Sequence, residues 1–148
     1  MKIRSKLIAA VCDYLSADHT VPVPVHRETG DNVLDPPYAV VRISSGEPIA
    51  PGEPVWGLTL LIAVFHVAGI TPPEDAELAA EKTFAPVDFQ PRAGETNEEA
   101  AARFDAFAAF AATKGLAISA MYPEDSQMAA EDGRWSHITG FQVIAAEI

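Results

Sequence analysis

Hydrophobic and polar residues change period several times along the chain, and each change marks an element. Ile3, Leu7, Ala10, Val11, Tyr14 and Leu15 recur at three- and four-residue spacings, the repeat of an amphipathic helix over residues 3–16. Its basic residues Lys2, Arg4 and Lys6 sit at the N-terminal end. Cations there oppose the helix dipole, so they serve solubility or an acidic neighbour and not the helix itself. Val21, Val23 and Val25 alternate with Pro22 and Pro24, which cannot donate to a ladder; residues 21–25 read as an edge strand or an exposed, extended arm. Residues 30–37 read as a loop rich in turn formers, ended by Pro36-Pro37, and residues 38–43 as a strand. Residues 44–54, punctuated by Pro48, Pro51 and Pro54, read as a long hairpin connection.

The strongest strand pattern spans residues 55–67. Leu58, Leu60, Ile62 and Val64 fall on one face, and Leu61, Ala63, Phe65 and Val67 on the other. Both faces are apolar, so both call for cover. One helix layer covers one face; the second is left to a neighbouring subunit or to the chain's own later helix. Thr71-Pro72-Pro73-Glu74 reads as a helix start with Thr71 as N-cap and Glu74 completing a capping box, and the helix runs to about Phe84, where Ala85-Pro86 stops it. A polar loop over residues 86–97 follows. Thr96 with Glu99 forms a second capping box, which opens an alanine-rich helix over residues 98–113 with Phe104, Phe107 and Phe110 on one stripe and Lys114-Gly115 at its end. Residues 116–122 and 135–146 read as the closing strands, joined through residues 123–133 with a tight Asp132-Gly133 turn. The order predicts an α+β fold, a mostly antiparallel sheet with helices packed on one side. At 148 residues the chain fits one domain, residues 1–148, with the loop and helix of 86–113 as an insertion.

Charge narrows the function classes. Ten Lys and Arg stand against 21 Asp and Glu, a net of -11. A surface that grips nucleic acid needs clustered cations, so that class is excluded. A single cysteine, Cys12, excludes an internal disulfide framework and a Cys-rich zinc site, and its place on the first helix reads as a small buried hydrophobe. The basic start before residues 7–12 is cut short by Asp13 with no cleavage site, so no signal peptide is expected. The apolar run 58–68 is too short to span a bilayer, and a cytoplasmically made soluble protein without membrane contact is expected. There is no phosphate loop, no Gly-x-Ser-x-Gly elbow and no dinucleotide fingerprint. The paired carboxylates at 74–75 and 98–99 open helices, and those at 124–125 and 131–132 bracket a turn. His66 and His137 lie on strands that could pair, which would bring their imidazoles together; a hydrogen-bonded core or interface histidine, and not a ligand, is the plainer reading of each. No catalytic residue, cofactor or metal ligand is assigned.

The layout as a whole resembles the tail terminator (tail completion or tube-capping) proteins of long-tailed bacteriophages. The resemblance rests on the N-terminal helix ending in Leu15-Ser16-Ala17 and on the proline-led strand beginning Pro36-Pro37-Tyr38. It continues through the long apolar strand 56–67, the Ala/Glu helix 74–84 and the terminal strand Asp132-Gly133-Arg134-Trp135-Ser136-His137. The segment 86–113 departs from that layout.

The resemblance implies a virion protein and not an enzyme, assembled in the host cytoplasm and located at the tail–neck junction. It implies a homo-hexameric ring on the head-proximal end of the tail tube, which stops tube growth and joins tail to head. The implied partners are further copies of itself, the tail tube protein and a neck, head-completion or connector protein, with the tail sheath as a further candidate. DNA would slide through the acidic ring without specific binding. The residues expected at such interfaces are Val21, Val23 and Val25 of the arm, and Glu47, Pro48, Ile49, Pro51, Glu53, Val55 and Trp56 of the hairpin. A related neck protein and, from another class, a small ligand-binding domain or enzyme using His66 and His137 are the rival readings.

Overall fold

A computed structural model describes residues 2–27, 35–131 and 133–148. Its elements are α1 (Lys2–Ala17), β1 (Val25–Arg27), β2 (Tyr38–Pro48), β3 (Val55–Val67), α2 (Pro73–Phe84), a short 3-10 turn (Ala85–Val87), α3 (Asn97–Thr113), β4 (Leu116–Glu131) and β5 (Arg134–Glu147). The five strands form one sheet in the order β1-β2-β3-β5-β4. Every pairing is antiparallel except β1 with β2, which is parallel. The fold is α+β, as the sequence pattern predicts. Of the expected loop at 30–37, residues 30–34 lie outside the described residues, as does Asp132 of the Asp132-Gly133 turn.

β3 is central because it is apolar on both faces and can accept neighbours on both edges. Its ladder with β5 runs unbroken from Val55↔Ala146 to Val67↔Arg134. Leu58, Leu60 and Ile62 from β3 and Phe141, Val143 and Ala145 from β5 share one face. On that face they meet Ile3, Leu7, Val11 and Leu15 of α1, and Phe107 and Ala111 of α3, to form the main core. Each of these large side chains contributes roughly 1.5–3 kcal/mol by leaving water. A smaller cluster on the same face joins Val23, Ala39, Val64 and Ala80, and so docks α2. Tyr14 of α1 packs edge-on to Phe107, with ring centroids 5.0 Å apart, which ties α1 to α3.

Four sequence expectations need correction. The connection at 44–54 is shorter than its prolines indicate: β2 continues to Pro48 across a register shift between Ile43 and Ser45, and the turn occupies only the residues after it. The closing strand does not end at Tyr122. β4 runs on to Glu131, because a bulge between Pro123 and Ser126 absorbs the residues that read as a turn. Thr71 does not cap α2: its N–H bonds to the Val67 carbonyl and it bridges Ala68, so the helix starts only at Pro73 with no side-chain cap. The arm 21–25 is not exposed throughout: Val23 is 7% exposed and Val25 enters β1. By contrast, the second capping box is present, with the Thr96 hydroxyl accepting from the Glu99 N–H and the Glu99 carboxylate accepting from the Thr96 N–H.

The polar loop before α3 is held by one side chain. Arg103 donates from Nε and Nη2 to the Glu95 carboxylate at 2.8 Å each, and from Nη1 and Nη2 to the carbonyls of Asp88 and Gln90. These hydrogen bonds, together with the N–H of Arg92, hold the Glu95 carboxyl down at about 2.

Candidate assembly surfaces

Neighbours in an antiparallel register share a face, so the pairings decide which side chains lie opposite the helices. The row Val40, Ala63, Ile138 and Gln127 lies on that second face, and so do Arg42, Leu61 and Gly140 below it. Tyr38, Phe65 and Ser136 lie above. None of Val40, Leu61, Ala63, Phe65, Ile138 or Ile144 belongs to a hydrophobic cluster, and α1, α2 and α3 all pack on the other side. The second apolar face that the sequence pattern indicates is therefore real, and the chain's own α3 does not cover it. Leu61 leans over Gly140, where an added Cβ would come within 3.4 Å of it. Arg134 closes the upper end: its guanidinium lies 5.4 Å from the Phe65 ring centroid and donates to the Tyr38 hydroxyl at 3.0 Å.

The residues expected at interfaces fall in different places. Glu47 and Pro48 end β2 on the exposed side, and Pro51 and Glu53 occupy the exposed turn. Ile49 is 55% exposed and its N–H donates to the Val55 carbonyl, closing the hairpin. Val55 opens β3, whereas Trp56 points to the helix side and packs against the main core. Val21 and Val25 also pack against core residues, and Val23 is buried. The hairpin tip is thus a projecting surface and the arm is mostly structural. Leu61 was legible as part of the second apolar face, whereas Arg42 and Ile138 were not legible as surface residues in the sequence. The 55–67 and 135–146 stretches alternate visibly, but only strand order shows that no helix reaches this face.

His66 and His137 do come together, on adjacent strands and the same face, since His66 pairs with Trp135 and His137 with Val64. Both are buried, yet His66 Nδ1 and both His137 nitrogens have no protein hydrogen-bond partner. The expectation of hydrogen-bonded core histidines is thereby corrected. Burial lowers the pKa of both; the neighbouring His137 lowers His66 further, while Glu77 and Glu81 of α2 pull His137 the other way. A shallow hollow of about 300 Å³ lies between α2 and the sheet here, lined by Glu77, Glu81, Met128 and His137. Among the described residues no three His, Cys, Asp or Glu side chains are placed to hold a metal ion. Cys12 is 4% exposed and burial pushes its thiol up to about 11, so it is inert at neutral pH. Among the described residues no helix is long and apolar enough to cross a membrane.

With this geometry in place, the chain can be set beside known proteins. One solved chain, from a structure described as the virion of native gene transfer agent (GTA) particle, is similar in fold. The superposition has a TM-score of 0.61 and covers 95% of this chain and 94% of that one, at 13% sequence identity. At that identity the likeness speaks for a shared fold. No protein-family model and no curated protein matches the chain.

Proposed function

We propose that the chain is a structural component of a phage-like virion, and more narrowly a tail terminator. In this reading it forms a ring, hexameric in the full assembly, on the head-proximal end of the tail tube, halts tube growth and presents a surface to the neck. The observation that carries it is the fold likeness to a virion chain over 95% of one and 94% of the other. A match of that extent leaves no large part of either chain unaccounted for. Two physical features support the same reading. An apolar sheet face without its own helix layer belongs to a protein that works in an assembly. A net charge of -11 lets DNA pass a lumen without adhering.

The reading treats residues 1–148 as one domain, and it assigns no catalytic step. The end of β2 and the turn after it, with Glu47, Pro48, Ile49, Pro51 and Glu53, form the surface offered to the tube or to the neck. Native mass spectrometry and negative-stain imaging of the purified chain, alone and mixed with tail tube protein, test the proposal. Sixfold rings at tube ends are expected, with deletion of residues 47–54 leaving a folded chain that no longer joins tails to heads. A chain that ignores tube ends overturns the terminator reading, and one found only on purified heads moves it to a neck protein.

A further inference from the structure

The open sheet face carries its own charge pattern. Arg42, exposed on the β2 side, is level with Leu61 and Gly140. On the β4 side the bulge between Pro123 and Ser126 sets Glu124 and Asp125 at the same level. These residues line one shallow hollow of about 290 Å³ with Ile138 at its floor. A cation thus stands at one margin of the face and two carboxylates at the other, with Leu61, Ile138 and the polar Thr59 and Gln127 between them.

We propose that two copies of this chain, free of a particle, pair face to face through this surface about a twofold axis that runs along the strands. The axis direction follows from the charges. A twofold along the strands lays the β2 margin of one copy on the β4 margin of the other, so Arg42 meets Glu124 and Asp125 twice. A twofold across the strands lays Arg42 on Arg42 and carboxylate on carboxylate, which repel. The permitted arrangement is an aligned sheet sandwich with faces about 10 Å apart. Leu61, Ile138 and Ile144, each half-buried in the single chain, then leave water. Four strands wide and some eight residues long, the patch covers roughly 500 Å² per copy. That lies at the lower end of specific interfaces and fits a dimer of micromolar affinity. Arg134, seated over Phe65, marks the upper limit of the contact.

The pairing goes beyond the ring reading. Rings close through head-to-tail contacts, whereas this contact is the same patch on both copies.

Sedimentation equilibrium and native mass spectrometry of the purified full chain, over roughly 1 to 200 µM, provide the test. A monomer–dimer equilibrium is expected. Arg42→Glu should weaken it at least about tenfold, as should Glu124→Arg with Asp125→Arg, and the three substitutions together should restore it to within about threefold. All three sites are exposed, and an unchanged urea midpoint confirms that each variant is folded. Ile138→Glu, at the centre of the patch, should abolish the dimer in an otherwise folded chain. A monomer throughout the range, a closed higher oligomer, a dimer indifferent to Arg42→Glu, or failure of the combined variant to restore pairing overturns the proposal. A chain that is monomeric here but forms rings at tube ends loses only this pairing. A charge-dependent dimer that never engages tubes retains it and loses the terminator reading.

Discussion

Gly46 shows how much one residue controls. It pairs with Leu58 on the helix side of the sheet, and a Cβ there would run into the Leu58 side chain, itself 1% exposed, with the Arg4 guanidinium next nearest at 3.6 Å. Buried Leu58 has no room to yield, so Gly46→Ala should cost about 1–3 kcal/mol, read as a lowered urea midpoint. Gly57, one strand over, supplies the control. Its nearest neighbour to an added Cβ is Ile49 at 4.0 Å, so Gly57→Ala should stay within about 0.5 kcal/mol of the parent. Equal effects at the two positions would refute the packing account. Neither glycine announces this in sequence, because both read as ordinary strand or loop glycines until strand pairing supplies the neighbour.

At the scale of elements, α2 has the weakest hold on the sheet. Only Ala76, Ala80 and Thr83 of its length are buried, and it rests beside buried His66 and His137, whose Nδ1 atoms both have no hydrogen-bond partner. Burial lowers both histidine pKa values below the usual 6.5. The unfolded chain therefore binds more protons than the folded one once pH drops below that value, and stability must fall with it. The loss begins near pH 6.5 and ends below the lowered native values. A urea midpoint lower at about pH 5.5 than at about pH 7.5 is expected, and His137→Gln should flatten the difference. A midpoint that holds or rises on acidification would contradict the burial argument. Glu95 shifts stability the same way, but only as pH falls from 4.5 toward about 2, so the two windows are separable.

The elements also show what the sequence made legible. The 3.6-residue repeat of α1, the Thr96 capping box and the alternation of β3 are local signals, and local structure follows them. β2 and β4 outrun their expected ends because Pro48 and Pro123 are tolerated at exposed edges and next to register shifts, which no local pattern encodes. The parallel partner of β1 was hidden for a similar reason, since three residues after Pro24 carry no record of what they pair with. Of the candidate surfaces, the hairpin tip was readable from its prolines. The open face was readable only as an excess of apolar residues, and its charge pattern required the strand order.

For the molecule as a whole, net charge dominates the long-range terms. With 21 carboxylates against 10 cations, the folded chain repels itself, and only three ion pairs are formed among the described residues. Screening weakens that repulsion over a distance of about 10 Å at 0.1 M salt. The melting temperature should accordingly rise by a few degrees between about 10 and 150 mM NaCl, measured at fixed pH. A flat or falling salt profile would mean that the three pairs outweigh the bulk repulsion.

The strand order has a kinetic side. β2 with β3, and β4 with β5, are hairpins whose partners are near in sequence, but the β3–β5 ladder joins Val55 to Ala146 and Val67 to Arg134. Helices α2 and α3 and all of β4 lie between those partners. The chain is in effect two local hairpins zipped along one distant seam. Closing that seam carries the loop entropy of everything between, so it sets the refolding rate. A nascent chain leaves the β5-facing edge of β3 unpaired until the fourteen residues of β5 emerge.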